Sequence, residues 1–353
     1  MKITVITVCL NSAHTIEKTI KSVIEQEYHD LEYIVVDGGS TDGTLDILVK
    51  YDIYIHKWIS EPDEGIFDAM NKGIGMATGD VIAFLNSDDW YERNALEIVE
   101  DAFNVNDCDC VYCDNYVVDK KGDTVYFKVL TQSSDDIYMR MICYHSAIFC
   151  KKEFFEKKEN FNLKYKIAAD YDWFLRMCKQ GLRIHYISQP VFTFCYGGIS
   201  SVNEIDCARE AREIALYHLP AEKNEYRELI DKRFYYVVAN SVLCGELGEN
   251  LKDHRFNILW GAGVRGRQCI NLFYEANIAI YAVVDSNRAK WDNTVKGVRI
   301  CSPDILEQGS YNLIITPDND KEIEEEIDRI GNHNIKIFKF NTLWTMVRDK
   351  LQI

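Results

Sequence analysis

With 353 residues, 47% of them hydrophobic and 12% aromatic, the chain is long enough for two domains with substantial cores. Its formal net charge of -16 excludes a general nucleic-acid binder, because little positive charge is available to neutralise phosphates. Twelve cysteines spread along a chain of this size exclude a small disulfide scaffold and fit reduced thiols in a cytoplasmic protein. The cluster Cys108, Cys110 and Cys113 lacks a second paired cluster and lies in a strand-like segment, which speaks against zinc. No run reaches the length of a transmembrane span. The apolar stretch Ile3 to Leu10 is short, contains Thr4 and Thr7, lacks a small-residue cleavage site, and reads as a first strand and not as a leader. Cytoplasmic placement is the expectation, with peripheral attachment at the inner face of the cell membrane left open.

In chain order, Lys2 to Leu10 predicts a strand, and Asn11-Ser12 offers helix-capping side chains. Ile16, Ile20, Val23 and Ile24 then fall on one face of an amphipathic helix. Leu31 to Val36 predicts a second strand running into the polar turn Asp37-Gly38-Gly39-Ser40-Thr41-Asp42-Gly43, followed by a helix over Thr44 to Tyr51. Such a β-α-β-α start implies a parallel sheet with right-handed crossovers. A short strand around Tyr54 to Ile59 precedes Ser60-Glu61-Pro62-Asp63-Glu64-Gly65, and a helix over Ile66 to Thr78 is closed by Gly79. Val81 to Leu85 is a buried-type strand that ends at Asn86-Ser87-Asp88-Asp89. In open α/β sheets ligands bind beyond the carboxyl ends of strands, where Asp37, Asp88 and Asp89 would lie. Adjacent carboxylates suit Mg2+ or Mn2+ held together with substrate phosphates, although an Asp in such a turn can also simply cap the next helix.

The blocks Thr7-Val8-Cys9-Leu10-Asn11, Val36 to Thr44, Asp68-Ala69-Met70-Asn71-Lys72-Gly73-Ile74, Gly79-Asp80 and Leu85 to Asp89 resemble, in the same order, the successive motifs of family 2 glycosyltransferases. The resemblance covers roughly residues 1 to 205. It implies a GT-A fold, with a nucleotide-binding parallel half joined to an acceptor half, and inverting, metal-dependent sugar transfer. It further implies donor contacts from Thr7, Asp37, Asp68 and Asp88, Thr7 and Asp37 at the base and Asp88 at the ribose, with the Mn2+ or Mg2+ on Asp89. Asn86 stands where many relatives have an acid, which leaves the metal mainly to Asp89, with Asp88 as a second contact.

Further along, a helix over Ala95 to Phe103, strand-like Asp109 to Val118, a turn at Lys120 to Asp123 and a pairing strand Val125 to Leu130 are expected. His145 lies beside another apolar strand; a lone histidine is commonly a structural hydrogen-bonder, but the resemblance makes it a candidate, since a histidine before this strand is usual in one polysaccharide branch of the family. Ile167 to Met177 contains Asp170 at or just before a helix N-terminus, where the helix dipole keeps a carboxylate ionised. An N-cap would explain Asp170 equally well; the resemblance implies a catalytic base there. Ala169 replaces the glutamate common just before it, and Asp172 is the reserve candidate. After Val191 to Tyr196, the turn Gly197-Gly198-Ile199-Ser200-Ser201 is a lid or a connector.

Residues 206 to 254 read as a bridging helical layer. From 255 to 353 an α/β pattern restarts: Phe256 to Trp260, then Gly261-Ala262-Gly263-Val264-Arg265-Gly266 opening a helix, then a strand Ala279 to Val284 ending in Asp285. Gly261, Gly263, Gly266 and Asp285 form a dinucleotide-type fingerprint in its strand-turn-helix setting, followed by strands Asn312 to Thr316 and Ile335 to Phe338. Without a catalytic partner, a nucleotide-binding or oligomerising module is expected. The expected fold is thus α/β, a GT-A domain over 1 to 205 with a mixed, mainly parallel sheet, a helical linker, and a small Rossmann-like domain. The expected activity moves a sugar from a nucleotide-diphosphate donor to a saccharide or lipid-linked acceptor in cell-surface polysaccharide assembly. A nucleotide-sugar-binding protein without transferase activity and an NAD-dependent sugar-modifying oxidoreductase are the alternatives.

Overall fold

The computed structural model describes residues 1–118, 124–127, 136–138, 141–156, 160–252, 256–276, 278–317 and 321–351. The expected turn at Lys120 to Asp123 and the end of its hairpin at 128–130 lie outside them. The chain divides into two compact units, Met1–Ile230 and Asp231–Ile353, and the division falls inside the helix Tyr226–Lys252.

The first unit is built on one mixed sheet. Its strands are β1 (Ile3–Cys9), β2 (Leu31–Asp37), β3 (Lys57–Ser60), β4 (Val81–Phe84), β5 (Trp90–Tyr91), β6 (Cys110–Val118), β7 (Thr124–Phe127), β8 (Ile148–Lys151) and β9 (Ile184–Cys195). Their order is β3-β2-β1-β4-β8-β6-β9-β5, with β7 on β6. β3, β2, β1 and β4 run parallel, Ile6 pairing with Ile34 on one side and Phe84 on the other. Every residue of β1 and β4 is buried, as continuous apolar strands covered on both faces must be. One cover is the helix Ile16–Ile24, whose Ile16, Ile20 and Val23 have no exposed surface. β1 continues to β2 and β3 on one side while β4 lies on the other, so the order reverses beside β1 and a crevice opens beyond the carboxyl ends.

The remaining strands turn the sheet mixed. β8 is antiparallel to β4, and β6 is antiparallel to β8 and parallel to β9, with register shifts at Asp114. β5 follows β4 within six residues of sequence yet pairs with β9 at the far end of the sheet, Trp90 opposite Thr193. The sheet therefore curls around the acidic turn that joins β4 to β5. This is the parallel half joined to an acceptor half that the resemblance implies.

Several local expectations shift. Asn11 and Ser12 do not cap the first helix, whose N-cap is Thr15. Asp52–Tyr54 form a single 3-10 turn, so the third strand begins only at Lys57. The apolar stretch after Met141 becomes strand only at Ile148, because His145–Ala147 form one 3-10 turn. Part of the glycine turn after β9 is a short helix, Ile199–Val202. Within 206 to 254 the chain makes two helices, Glu204–His218 and Tyr226–Lys252. The first belongs to the first unit, since its His218 and Glu210 hydrogen-bond residues around the helix Ala169–Lys179.

The second unit carries β10 (Phe256–Trp260), β11 (Ala282–Val284), β12 (Thr294–Val295), β13 (Val298–Cys301), β14 (Tyr311–Ile315) and β15 (Ile335–Lys339) in the order β12-β13-β11-β10-β14-β15. All pairings are parallel except the β12-β13 hairpin. Ile258, Trp260, Val284, Leu313 and Ile315 make its core with Ile323 and Ile327 of the helix Lys321–Ile330.

Candidate active site

Three loops at the carboxyl ends of β1, β2 and β4 are clipped to one another by polar contacts. Asn11, held at φ 50°, donates its N–H to Ser40 Oγ (2.7 Å) and accepts from Thr41 N through Oδ1 (2.9 Å). The Ser12 N–H reaches Thr44 Oγ1 at 2.8 Å, and its hydroxyl meets that of Ser87 at 2.8 Å. Asn11 and Ser12 thus serve as loop fasteners, a role that helix-capping propensity could not reveal because all the partners are far away in sequence.

Asp37 is the hub of this wall. It has no exposed surface. Its Oδ2 accepts from the Gly39 and Ser40 N–H groups and the Ser60 hydroxyl (3.0, 2.9 and 2.6 Å), and its Oδ1 accepts from the Ser40 hydroxyl. Burial alone would raise its carboxyl, but the serine hydroxyls and backbone N–H groups win and hold it below the usual value. Gly38 follows without a Cβ because one would lie 2.4 Å from Asp63 Oδ2. Thr7 is likewise fully buried and accepts the Tyr33 hydroxyl at 3.2 Å. Thr7 and Asp37, which the resemblance places at the donor base, have no exposed surface here. They shape the wall, and Leu10, 56% exposed beyond β1, and Gly38 stand in front of it. Asp68 caps its own helix start, accepting from Glu64 N at 3.1 Å, and pairs with Lys72 at 3.4 Å.

At the β4 turn the two acids differ sharply. Asp89 has no exposed surface; its Oδ1 accepts from Cys195 N (2.9 Å) and its Oδ2 from Ser146 Oγ (3.1 Å) and Asn86 Nδ2 (3.3 Å). Burial, then the neighbouring charge of Asp88, push its carboxyl up to about 7 against these hydrogen bonds and the nearby imidazole of His145. Asp88 is part-buried, its carboxyl also raised, chiefly by burial, with His145 opposing. Among the described residues no other side chain hydrogen-bonds it, and Gly198 of the glycine turn lies against it, an added Cβ falling 3.7 Å from Asp88 Oδ2. Asp88 is thus the more exposed of the two carboxylates, with Asp89 buried behind it.

Among the described residues no three His, Cys, Asp or Glu side chains could hold an ion by themselves, and Cys108, Cys110 and Cys113 are simply buried free thiols. A single outward carboxylate backed by a second fits a hard cation that takes its other ligands from phosphate and water. A cation beside Asp88 and Asp89 would offset the burial that raises both carboxyls and the charge of Asp88 on Asp89.

Opposite this turn stands Asp170, in the first turn of Ala169–Lys179. Its side chain is 18% exposed and its Oδ2 lies 3.6 Å from His145 Nδ1; His145 Nε2 in turn lies 3.1 Å from Asn86 Oδ1. The N-cap position is Ala168, and Asp170 Oδ1 accepts from the Tyr171 N–H at 2.8 Å within the first turn. Just ahead of the helix, the Glu210 carboxylate accepts from the N–H groups of Lys166, Ile167 and Ala168 at 2.8, 2.9 and 2.9 Å. Glu210 escapes a sequence reading because it reaches that segment from 42 to 44 residues away. Asp172 is only 3% exposed and is consumed by structure: Oδ2 accepts from Arg176 Nε and Oδ1 meets His218 Nε2, both at 2.9 Å. Burial opposes, but the hydrogen bonds from His218 and Arg176 hold its carboxyl low. Asn86, Asp88, Asp89, His145 and Asp170 are thus brought together. Asp285 and the second glycine turn belong to the other unit, where the Asp285 carboxylate accepts from Ala262 N (2.9 Å), Asn287 N (2.9 Å) and Lys290 Nζ (2.7 Å). Its carboxylate is thus held by the glycine turn at Ala262 and by its own loop at Asn287 and Lys290.

A family model described as Glycosyl transferase family 2 matches residues 4–186, and one described as C2185-like, N-terminal matches residues 255–338. A PGL/p-HBAD biosynthesis glycosyltransferase of Mycobacterium tuberculosis is 31% identical over 212 residues, 54% of this chain and 76% of that protein. Chondroitin synthase of Escherichia coli is 29% identical over 207 residues, which cover 57% of this chain but only 30% of that larger protein. Among solved structures, Staphylococcus aureus TarS 1-349 in complex with UDP-GlcNAc aligns with a TM-score of 0.53 at 19% identity, covering 66% of this chain and 70% of that one. Mannosyltransferase PcManGT from Pyrobaculum calidifontis, in complex with GDP-Man and Mn2+, aligns with a TM-score of 0.50 at 19% identity over 66% of this chain and 70% of that one. The likeness to these structures is one of fold.

Proposed function

The chain belongs to glycosyl transferase family 2, and from that premise we propose that it transfers a sugar with inversion from a nucleoside-diphosphate donor to a hydroxyl of a saccharide or lipid-linked acceptor. The observation that carries this reading is the convergence of Asp88, His145 and Asp170, which lie on three separate segments, at the open end of a parallel sheet. The nucleotide base would lie over Leu10 and Gly38, against the wall that Asp37 and Thr7 hold in shape. Asp88, with Asp89 behind it, would hold a Mn2+ or Mg2+ ion, which when bound supplies positive charge to the leaving diphosphate. Asp170 would receive the proton of the acceptor hydroxyl as that oxygen attacks the anomeric carbon. The bond from that carbon to the diphosphate breaks with its electron pair, so a good leaving group removes the need for the second flanking acid that glycosidases require. Gly197 and Gly198, beside Asp88, would let the following short helix close over bound donor.

The names of relatives point to cell-surface polysaccharide or glycolipid assembly, and uridine and guanosine donors are the first to test. No helix among the described residues is long and apolar enough to cross a membrane; a lipid-linked acceptor would be met from the membrane surface. The oxidoreductase alternative is weakened by Asp285, whose carboxylate is spent on Ala262, Asn287 and Lys290. A silent binding protein would hold nucleotide sugar without turnover. The deciding experiment measures nucleoside-diphosphate release from UDP-GlcNAc, other UDP-sugars, GDP-mannose and dTDP-sugars, with Mn2+, Mg2+ or EDTA. Cation-dependent release from one donor class that D170N abolishes supports the proposal; tight donor binding with no release under any condition overturns it.

A further inference from the structure

The contact between Asn86 and His145 fixes more than position. Asn86 Nδ2 donates to Asp89 Oδ2 at 3.3 Å, which turns Asn86 Oδ1 towards His145 Nε2 at 3.1 Å. With Asp89 ionised, the opposite amide orientation would set an oxygen lone pair against a carboxylate oxygen. An amide oxygen only accepts, so the hydrogen between these groups belongs to Nε2. In the neutral ring the other nitrogen, Nδ1, then carries a lone pair, and that lone pair faces Asp170 Oδ2 at 3.6 Å. Two acceptors pointed at each other repel unless a proton comes between them.

We propose that His145 is the positioning and proton-holding partner of Asp170: Asn86 locks it in the Nε2–H tautomer, and the pair takes up the acceptor's proton together, Asp170 first and Nδ1 second. The inference rests on the reading of Asp170 as base. As the acceptor O–H bond breaks, its electron pair forms the bond to the anomeric carbon, and the proton passes to the Asp170 carboxylate. It then moves to Nδ1, leaving an imidazolium beside a carboxylate, and is lost to water after the products depart. The pairing also gives a reason for Asn86, the position at which many relatives carry an acid. A neutral amide fixes the tautomer without adding a third negative charge to a turn that already holds two. The charged groups facing the ring are Asp170 from the helix Ala169–Lys179 and Asp88 and Asp89 from the β4 turn; burial pulls the imidazole down, but Asp170, then Asp89 and Asp88, leave it above its ordinary value.

The test is nitrogen NMR of the full chain labelled with 15N-histidine, without added metal, the His145 signals being assigned by their loss in H145Q or, should that variant fold poorly, in H145N. The expected result is an Nε2–H tautomer for neutral His145, a titration midpoint that falls in D170N, and a loss of tautomer preference in N86L. An Nδ1–H tautomer, or a midpoint indifferent to D170N, overturns the proposal. With the donor that turns over in the panel above, H145Q, which still has an N–H to give Asn86, should lower kcat by about tenfold or more, leave donor KM within about twofold, and move the acidic limb of the pH profile to lower pH. An unchanged pH profile and kcat in H145Q, with D170N inactive, defeats this pairing alone; normal turnover by D170N defeats the base reading itself.

Discussion

The two units contain the same local device with opposite outcomes. In each, a parallel strand runs into a glycine turn that opens a helix, and in each an aspartate lies at the carboxyl end of a strand. In the second unit every part is satisfied: Gly261 sits at φ 108°, Gly266 is packed so closely that a Cβ would lie 2.0 Å from Gly261 O, and the Asp285 carboxylate has two backbone N–H groups and Lys290. In the first unit Asp37 is equally satisfied, but the same ends of the parallel strands carry Asp88 and Asp89, two raised carboxyls for which the described residues show no lysine or arginine ion pair, with Asp170 and His145 across from them. A glycine turn makes room for phosphate in either place. Charge left unneutralised by the protein is what distinguishes a site from a scaffold.

The largest effect that would break this contrast is on turnover. D170N is expected to lower kcat by about a thousandfold with donor binding preserved, whereas D285N leaves kcat within about twofold; steady-state nucleoside-diphosphate release with parallel calorimetry of donor binding checks both. Next comes the contrast between Asp170 and its neighbour Asp172. D172A strands Arg176 and His218 at a buried position and should cost about 3 kcal/mol of stability, read as a lowered urea midpoint, while D170N leaves that midpoint nearly unchanged. Third, Asp89 and Asp285 should give pH slopes of opposite sign. The folded value of Asp89 is raised to about 7, so the stability it contributes is complete below its unfolded value of about 4 and is lost as the pH rises through 7. Burial pushes Asp285 up, but Lys290 and the N–H groups of Ala262 and Asn287 leave it lowered, so its contribution is present above about 4 and is lost as the pH falls through its folded value. Differential scanning in EDTA from pH 8 down to about 2 should therefore show D89N gaining on the parent as pH rises from about 4 to 8 and D285N gaining as pH falls below about 4, and Mg2+ should raise the parent's Tm more at pH 8 than at pH 5. The smallest effect is E210Q: an amide oxygen still accepts from the Lys166 to Ala168 N–H groups, so stability should fall by about 1 kcal/mol and kcat modestly.

Much of this was legible in one dimension because it depends on local periodicity. The buried runs Ile3–Cys9 and Val81–Phe84, the amphipathic helix at Ile16–Ile24 and the punctuating glycines state their own structure, and five ordered motifs state the family. The acids were legible as candidates for the same reason, since each stands where a strand or helix meets a turn. Their roles were not. The burial of Asp37 and Thr7 is set by packing; Asp89 is held behind Asp88 where Cys195, at the end of a strand 106 residues away, donates to it. Asp170 and Asp172 are two residues apart on one helix, and only the arrival of Glu204–His218 decides that Asp172 meets His218 while Asp170 stands 3.6 Å from His145.

The sequence by itself determined the elements, the parallel start and the family, because hydrophobic spacing and turn chemistry act between near neighbours. Which carboxylates are neutralised, and which are left facing one another across the crevice, was decided only by the tertiary structure, because a charge is balanced by whatever folds against it, from any distance along the chain.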